Sequence, residues 1–496
     1  MTKAWGQNLS PRIGLHGNEE EMAYRLLFVE PPKTYWFVMG DYNPPPTTLL
    51  VLAAYVEREL PKVDVRLVDS QGEHLDWPAV ERAIRDHRPD MVLASGYTCN
   101  AYTCARVAET AKRVDPDIIT VLGGQHFSAI PGESLKAYPE IDFIVRGEGE
   151  QTLVDLVRAC MGRRDAATVP GVSFRHDDKV FTNPNRPLIE NLDSLPFPAY
   201  HLVEDNISNY HFKMMAGKDT VYLVFEGGRG CGHRCSFCTQ WNHWGGRWRT
   251  KSPKRVAAEI EHLHGEHGGQ MLWLTDDNFE YSQRGKGLYE ALHGDPMTKD
   301  IMLFWQVRTD DVAAHPDLVA KMRSIGNYWV LVGAESADPE TLDAFEKGTK
   351  VSDTGRCIEV LTENDVFTQA MWVIGSRHDT HGSIEGLRNF SRSLAPKLNI
   401  YTTLTPFPGT RCFQEAKANG WIENDNWADY DMVHAVMPTE RLTRNEVQGE
   451  LYKCYKRQYG NLGKNIGGLF SSNKLERTMY RHMASQSVLR RLRELV

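Results

Sequence analysis

The sequence predicts an α/β protein: a doubly wound parallel sheet over 1–160, a connecting stretch over 161–215, a partial (β/α)6 barrel over 216–412 and a helical segment over 413–496. Two observations lead there. Short apolar runs alternate with amphipathic stretches of helical period through the first 412 residues, the mark of βα repeats and a parallel sheet. Glycines and polar residues gather where the apolar runs end, and ligands of such sheets bind beyond the carboxyl ends of the strands.

In the first part, strands are expected at Leu26–Glu30, Val63–Val68, Met91–Ala94, Ile118–Leu122 and Phe143–Arg146. Helices are expected at Thr47–Leu60, with Leu49, Leu52, Ala53, Val56 and Leu60 at helical spacing, and at Pro78–His87, Ala101–Val114 and Gln151–Cys160. Three Gly-rich loops follow strands: Ser95, Gly96, Tyr97 and Thr98; Gly123, Gly124, Gln125 and His126; and Gly147, Glu148, Gly149 and Glu150. Singly they say little, since glycines after strands are common in any doubly wound sheet. Gly171–Asn183 alternates as a hairpin turning at Asp177 and Asp178, and the prolines of Leu192–Tyr200 favour an extended connector.

The barrel strands are expected at Val221–Phe225, Met271–Leu274, Met302–Val307, Trp329–Val332, Phe367–Ile374 and Asn399–Leu404. Ser252 and Pro253 start a helix whose buried stripe is Val256, Ile260 and Leu263. Polar residues close the strands: Asp276 and Asp277, Gln306 and Arg308, Glu335 and Ser336, Arg377 and His378. After Gly409 the chain reads as mostly helical, with helices at Arg444–Tyr459 and Leu475–Leu495 and a basic run, Arg490, Arg491 and Arg493, read as a solvated face.

A net charge of −8 with 25% charged residues is ordinary and supplies no basic face for nucleic acid. No apolar run approaches the roughly 18 residues of a membrane span. The opening residues lack the apolar core of a signal peptide. Nine cysteines with one cluster fit reduced thiols plus a cofactor site and not a disulfide framework. A cytoplasmic protein is expected, with neither membrane nor nucleic acid as partner.

The cluster is Cys231, Cys235 and Cys238, a Cys-x3-Cys-x2-Cys loop directly after the first barrel strand. Three thiolates are one short of a saturated cubane or a tetrahedral zinc site. A [4Fe–4S] cluster held this way keeps one iron open. The other reading is zinc with His233 or His243 as a distant fourth ligand, although zinc thiolates usually come in C-x2-C pairs.

The cysteine spacing resembles the radical S-adenosylmethionine (SAM) superfamily, whose members bind SAM at the open iron. With the Gly-rich loops upstream, the segments Val121–His126 and Val145–Thr152 and the Leu-Asp-x-Leu-Pro-x-Pro connector at Leu192–Pro198, the chain resembles the cobalamin-dependent radical SAM enzymes. That resemblance implies a Rossmann-like cobalamin domain touched by Ser95, Gly96, Gly123, Gly124, Gln125, His126, Gly147, Glu148 and Gly149. The Asp-x-His-x-x-Gly motif of many other B12 proteins is absent, and Pro31, Pro32 and Lys33 follow the first strand instead. The departure implies cobalamin with no protein histidine on cobalt; a domain that has lost cobalamin is the other reading.

In the barrel the resemblance implies Cys231, Cys235 and Cys238 as cluster ligands and Phe237 against the adenine of SAM. Asp276 and Asp277 would serve as acceptors for the ammonium or ribose, unless they cap the next helix. Gln306 and Arg308 would lie at the SAM site, Arg308 being a bidentate donor for a carboxylate. Glu335, in the Gly-x-Glu-Ser run, would contact SAM or serve as an interior ion-pair partner. Arg377 and His378 depart from the family's fifth-strand pattern and are candidates for holding a polar substrate. Trp241–Arg249 would line the cofactor interface or pack across the barrel mouth, and Trp36 and Tyr42 are left between the same two roles.

The implied chemistry is reductive cleavage of SAM, hydrogen abstraction from an unactivated carbon and methyl transfer from methylcobalamin, in an anaerobic host. The electron donor would be a flavodoxin or ferredoxin. The compact size and altered fifth-strand motif resemble the archaeal members that methylate a glutamine of methyl-coenzyme M reductase. The expected function is therefore C-methylation of an sp3 carbon in a protein or peptide, a post-translational modification. The alternatives are a ring cyclase acting on a tetrapyrrole without net methylation, and a cofactor-binding sensor without turnover.

Overall fold

The computed structural model describes residues 23–33, 42–162, 165–176, 179–217, 219–459 and 462–486. The chain divides into two compact units, one built mainly of Pro46–Glu190 and the other mainly of the residues from Asp205 onward.

In the first unit, strands β1 (Arg25–Glu30), β2 (Asp64–Asp69), β3 (Met91–Ser95), β4 (Ile119–Gly123) and β5 (Phe143–Val145) run parallel. Their order is β2-β1-β3-β4-β5. Helices Thr47–Glu59, Trp77–His87, Ala101–Val114 and Glu150–Cys160 connect them. The strands are short unbroken apolar runs because they lie inside the unit, and Leu26–Val29 are all buried. Asp76 caps the helix Trp77–His87 through the Ala79 amide at 3.0 Å, with Pro78 in its first turn. The direction of winding reverses between β1 and β3, so the crevice of this sheet opens beside Glu30 and Ser95.

The stretch expected as a linker also enters this sheet. Strand β6 (Val172–His176) pairs antiparallel with β5, and β7 (Lys179–Thr182) pairs antiparallel with β6. Facing aromatic rings hold the register: Phe143 to Phe174 at 6.1 Å and Phe174 to Phe181 at 5.5 Å. The turn residues Asp177 and Asp178 lie outside the described residues.

The second unit contains six parallel strands in sequence order: β8 (Tyr222–Phe225), β9 (Met271–Leu274), β10 (Met302–Arg308), β11 (Asn327–Glu335), β12 (Phe367–Ile374) and β13 (Leu398–Thr403). β8 and β13 form the two edges of this open barrel. Ser252 caps Pro253–Gly265 through the Arg255 amide at 3.2 Å. An aromatic stack seals the amino end, with Trp273 on Phe304 at 5.3 Å and Phe304 on Trp329 at 3.8 Å. Tyr42, expected in the first domain, belongs here. Tyr42–Asn43 pairs with His211–Phe212, and its hydroxyl meets that of Tyr222 at 3.3 Å. It thus packs at the amino end of β8, opposite to the face where ligands bind. Trp36 lies outside the described residues.

The helix Arg444–Tyr459 covers the β13 edge. Tyr455 donates its hydroxyl to the Tyr401 carbonyl at 2.7 Å and accepts the Tyr401 amide at 3.0 Å. One turn on, Tyr459 does the same for Asn399 at 2.6 and 3.0 Å. Two phenols at i and i+4 thereby satisfy backbone groups that an open edge leaves unpaired. Residues 419–443 are largely irregular where helix is expected, because capping turns such as Asn426 onto Ala428 replace helical hydrogen bonds. The final described helix is Lys474–Gln486, and the basic run Arg490, Arg491 and Arg493 lies outside the described residues. No helix of the described residues is long and apolar enough to cross a membrane.

Candidate active site and cofactor cradles

The cysteine loop leaves β8 through two closely packed glycines, Gly227 and Gly228. A Cβ on Gly227 would meet the Arg284 guanidinium and the Leu274 methyl at 2.6 Å. Gly228–Arg229 then pairs with Arg249–Thr250, folding the Trp241–Arg249 run back over the loop. Gly230 turns the chain with φ +81° under the Arg247 carbonyl.

Three strand ends grip the loop. Asp276 accepts the Gly227 amide at 2.8 Å and Asp277 accepts the Gly230 amide at 2.9 Å. The Ser236 amide donates to the Phe345 carbonyl at 2.9 Å, beyond β11, and the Ser236 carbonyl accepts the Cys412 amide at 3.0 Å, beyond β13. Phe237 meets the Phe345 ring edge-on at 5.0 Å and joins a cluster with Val373, Leu404 and Met437.

Cys231, Cys235 and Cys238 are partly buried and free of disulfides. Burial raises all three thiols, Cys238 to about 12, while Arg308 opposes the rise at Cys231, and Lys347 with Arg308 opposes it at Cys235. Among the described residues no three His, Cys, Asp or Glu side chains converge on a point that would hold one ion. A cubane takes each thiolate on a different iron, so three thiols from one loop beside two buried cations fit a [4Fe–4S] cluster. His243, the other zinc candidate, is pressed against Trp244 at 4.6 Å and held near 4 by burial. His233 instead lines a cavity of about 430 Å3 with Trp248, Asn278, Glu280, Arg308 and Asp310.

The expected SAM contacts are already engaged within the chain. Asp276, 1% exposed, is closed by Arg284. Asp277 is pushed up to about 7 by burial, against the Gly230 amide. Arg308 is bidentate as expected, but to Asp310, with both contacts at 3.0 Å. Its guanidinium also donates to the Lys347 carbonyl at 2.7 Å. Glu335 stands at φ +60° on a register shift at the end of β11 and accepts the Lys347 ammonium at 2.7 Å. The carbonyl of Gln306 receives the Phe279 amide at 2.8 Å. Arg377 donates to the Pro438 carbonyl at 2.7 Å and lies 4.1 Å over Trp421, while His378 is exposed beside Glu440. Within Trp241–Arg249, Arg234 covers the Trp241 ring and Trp248 is 38% exposed. Lys347 escapes detection in the sequence, because nothing local distinguishes a buried lysine from a surface one.

The first unit presents a cradle at its switch point. Gly124 has φ +90°, and a Cβ there would strike the Gly96 carbonyl at 2.5 Å and the Ser95 hydroxyl at 2.8 Å. The Gly96 amide donates to the Gly123 carbonyl at 3.0 Å, which locks the two loops together. Beneath them the Asn100 side-chain Oδ1 is buried without a hydrogen-bond partner. Gly147, at φ +69°, faces open space. These loops fit a large planar group resting on backbone. Three of the named residues make contacts within the scaffold. His126 is buried, with Nδ1 3.4 Å from the Thr98 hydroxyl, and burial holds it near 4. Glu148 accepts the Ile189 amide at 2.6 Å, and Gly149 leaves room for Leu52. Gln125 opens the helix Gln125–Ala129.

Residues 40–157 match the B12 binding domain, and 225–382 match the Radical SAM superfamily. The chain is 29% identical over 433 residues to an uncharacterized methyltransferase of Pyrococcus horikoshii, covering 87% of this chain and 91% of that protein. It is 31% identical over 443 residues to the anaerobic magnesium-protoporphyrin IX monomethyl ester cyclase of Rubrivivax gelatinosus, covering 88% of this chain and 78% of that one. The radical SAM methyltransferase TsrM of Kitasatospora setae, solved with cobalamin and a [4Fe–4S] cluster, superposes with a TM-score of 0.72 at 18% identity over 96% of this chain and all of that one. The cysteine loop, the glycine cradle and these likenesses agree: the chain belongs to the cobalamin-dependent radical SAM methyltransferase family, whose cofactors are a [4Fe–4S] cluster, SAM and cobalamin.

Proposed function

We propose that this chain transfers a methyl group to an unactivated sp3 carbon of a small molecule. The observation that carries it is the three-thiol loop gripped by Asp276, Asp277 and Phe345, in a chain whose other unit holds an intact glycine cradle. Bound there, the cluster, SAM and cobalamin supply radical formation and methyl delivery. The chain's own residues orient and shield: Asp276 and Asp277 fix the loop, and Trp241–Arg249 folds over it. A reduced flavodoxin or ferredoxin is the natural electron donor.

The sequence-based expectation of a protein glutamine substrate gains no support from the relatives. The Rubrivivax relative is named for a tetrapyrrole ester, and a second TsrM structure holds tryptophan as substrate. Ring cyclisation of a tetrapyrrole is the second reading, favoured by the 31% identity to the cyclase.

The test starts with anaerobic reconstitution, where about four iron and one cobalt per chain are expected. Incubation with methyl-labelled SAM and a reductant then follows, with label sought separately in small molecules and in protein. Labelled small molecules support the proposal. Label in protein alone restores the glutamine reading, and deoxyadenosine without transferred label favours cyclisation. Cys235→Ala should abolish deoxyadenosine formation, while His233→Ala should retain it.

A further inference from the structure

Lys347 sits where three parts of the barrel meet. Two residues before it, Phe345 holds the cysteine loop through the Ser236 amide at 2.9 Å. Its own carbonyl receives Arg308 from the end of β10 at 2.7 Å, and its ammonium reaches Glu335 at the end of β11 at 2.7 Å. The lysine side chain is 8% exposed and that of Glu335 10%. Gly333 makes the room: a Cβ there would meet the Glu335 carboxylate at 2.6 Å and the Lys347 ammonium at 2.8 Å.

Lys347 and Arg308 are both buried cations beside the cysteine loop. Burial raises the Cys235 thiol most; Lys347 and Arg308 oppose that rise and Glu335 adds to it. Such an arrangement costs desolvation of two charges, and a hydrophobic pair would fold the same corner without it.

We propose that Lys347, paired with Glu335, sets the reduction potential of the cluster held by Cys231, Cys235 and Cys238. Reduction adds one electron from a low-potential donor, with no proton taken up and no ligand lost. The added negative charge in a low-dielectric corner is stabilised by a fixed cation and destabilised by a fixed anion. Lys347 is thus a positioning residue acting through charge. The inference rests on the family's cluster and stands apart from the choice of substrate.

The test is an EPR-monitored titration with dithionite on anaerobically reconstituted full-length protein, without SAM. Lys347→Met should disfavour reduction about tenfold, which lowers the midpoint by 59 mV for a one-electron couple. Glu335→Gln should raise the midpoint, and Lys347→Arg should leave it near wild type. Midpoints that do not move, or that move in the same direction in Lys347→Met and Glu335→Gln, overturn the proposal. If Lys347→Met does not fold or hold iron, Glu335→Gln decides: a rise supports the proposal, and no change or a fall overturns it. Full iron with an unshifted potential would leave the family assignment standing and remove only this role.

Discussion

Asp276 accepts the amide proton of Gly227 at 2.8 Å, forty-nine residues upstream, and Arg284 closes on the same carboxylate from the far side. The loop that carries the cysteines is therefore anchored by a buried ion pair before any cofactor arrives.

Asp276→Asn should cost about 3 kcal/mol, because it strands the Arg284 guanidinium in the core. Urea unfolding of the apoprotein measures this. Iron retention should fall in parallel, and a variant that unfolds like wild type would show that Arg284 finds another partner.

Gly124→Ala should destabilise the first unit by about 2 kcal/mol, since alanine must adopt φ +90° and push against the Gly96 backbone. Cobalamin retention, read from its visible absorbance, should drop with the cysteine-loop iron unchanged. Loss of both cofactors would mean the two units do not fold independently.

Glu450 is buried and joins Arg388, Lys453 and His381. Burial would raise its carboxyl, but hydrogen bonds from Lys453, Arg388 and His381 prevail and hold it at about 2, against an ordinary 4.5. A carboxyl lowered this way contributes on the order of 3 kcal/mol above pH 4.5. That contribution is lost as pH falls from about 4.5 toward 2. Glu450→Gln should therefore be less stable than wild type at pH 7, with the gap narrowing at pH 3.5. Thermal melts at the two pH values check it; a gap of constant size would show that the charge is not the source.

Arg377→Lys should lose about 1 kcal/mol as the guanidinium leaves the Trp421 face. Once a substrate is identified, KM should stay unchanged, because Arg377 is engaged with Pro438 and Trp421. A KM rise without loss of stability would return this residue to the substrate-holding role that its position in the sequence first implied.

The strands, the helix at Ser252–Pro253 and the cysteine loop were legible in the sequence because their signals are local: apolar period, a cap three residues from its amide, three thiols within eight residues. Those features are set by neighbours along the chain, and packing preserved them. The partners of the charged residues were not legible. Whether Arg308 offers its fork to a ligand or spends it on Asp310, and whether Glu335 faces SAM or Lys347, depends on where separate strand ends meet. The hairpin at Val172–Thr182 likewise joined the first sheet because β5 offered it an unpaired edge, and Tyr42 joined the barrel because Phe212 and Tyr222 stood ready to cover its ring. Sequence by itself determined the order of elements and the spacing of the three cysteines. Only the tertiary structure decided which buried charges neutralise one another, since that is a matter of ångströms between residues distant in the chain.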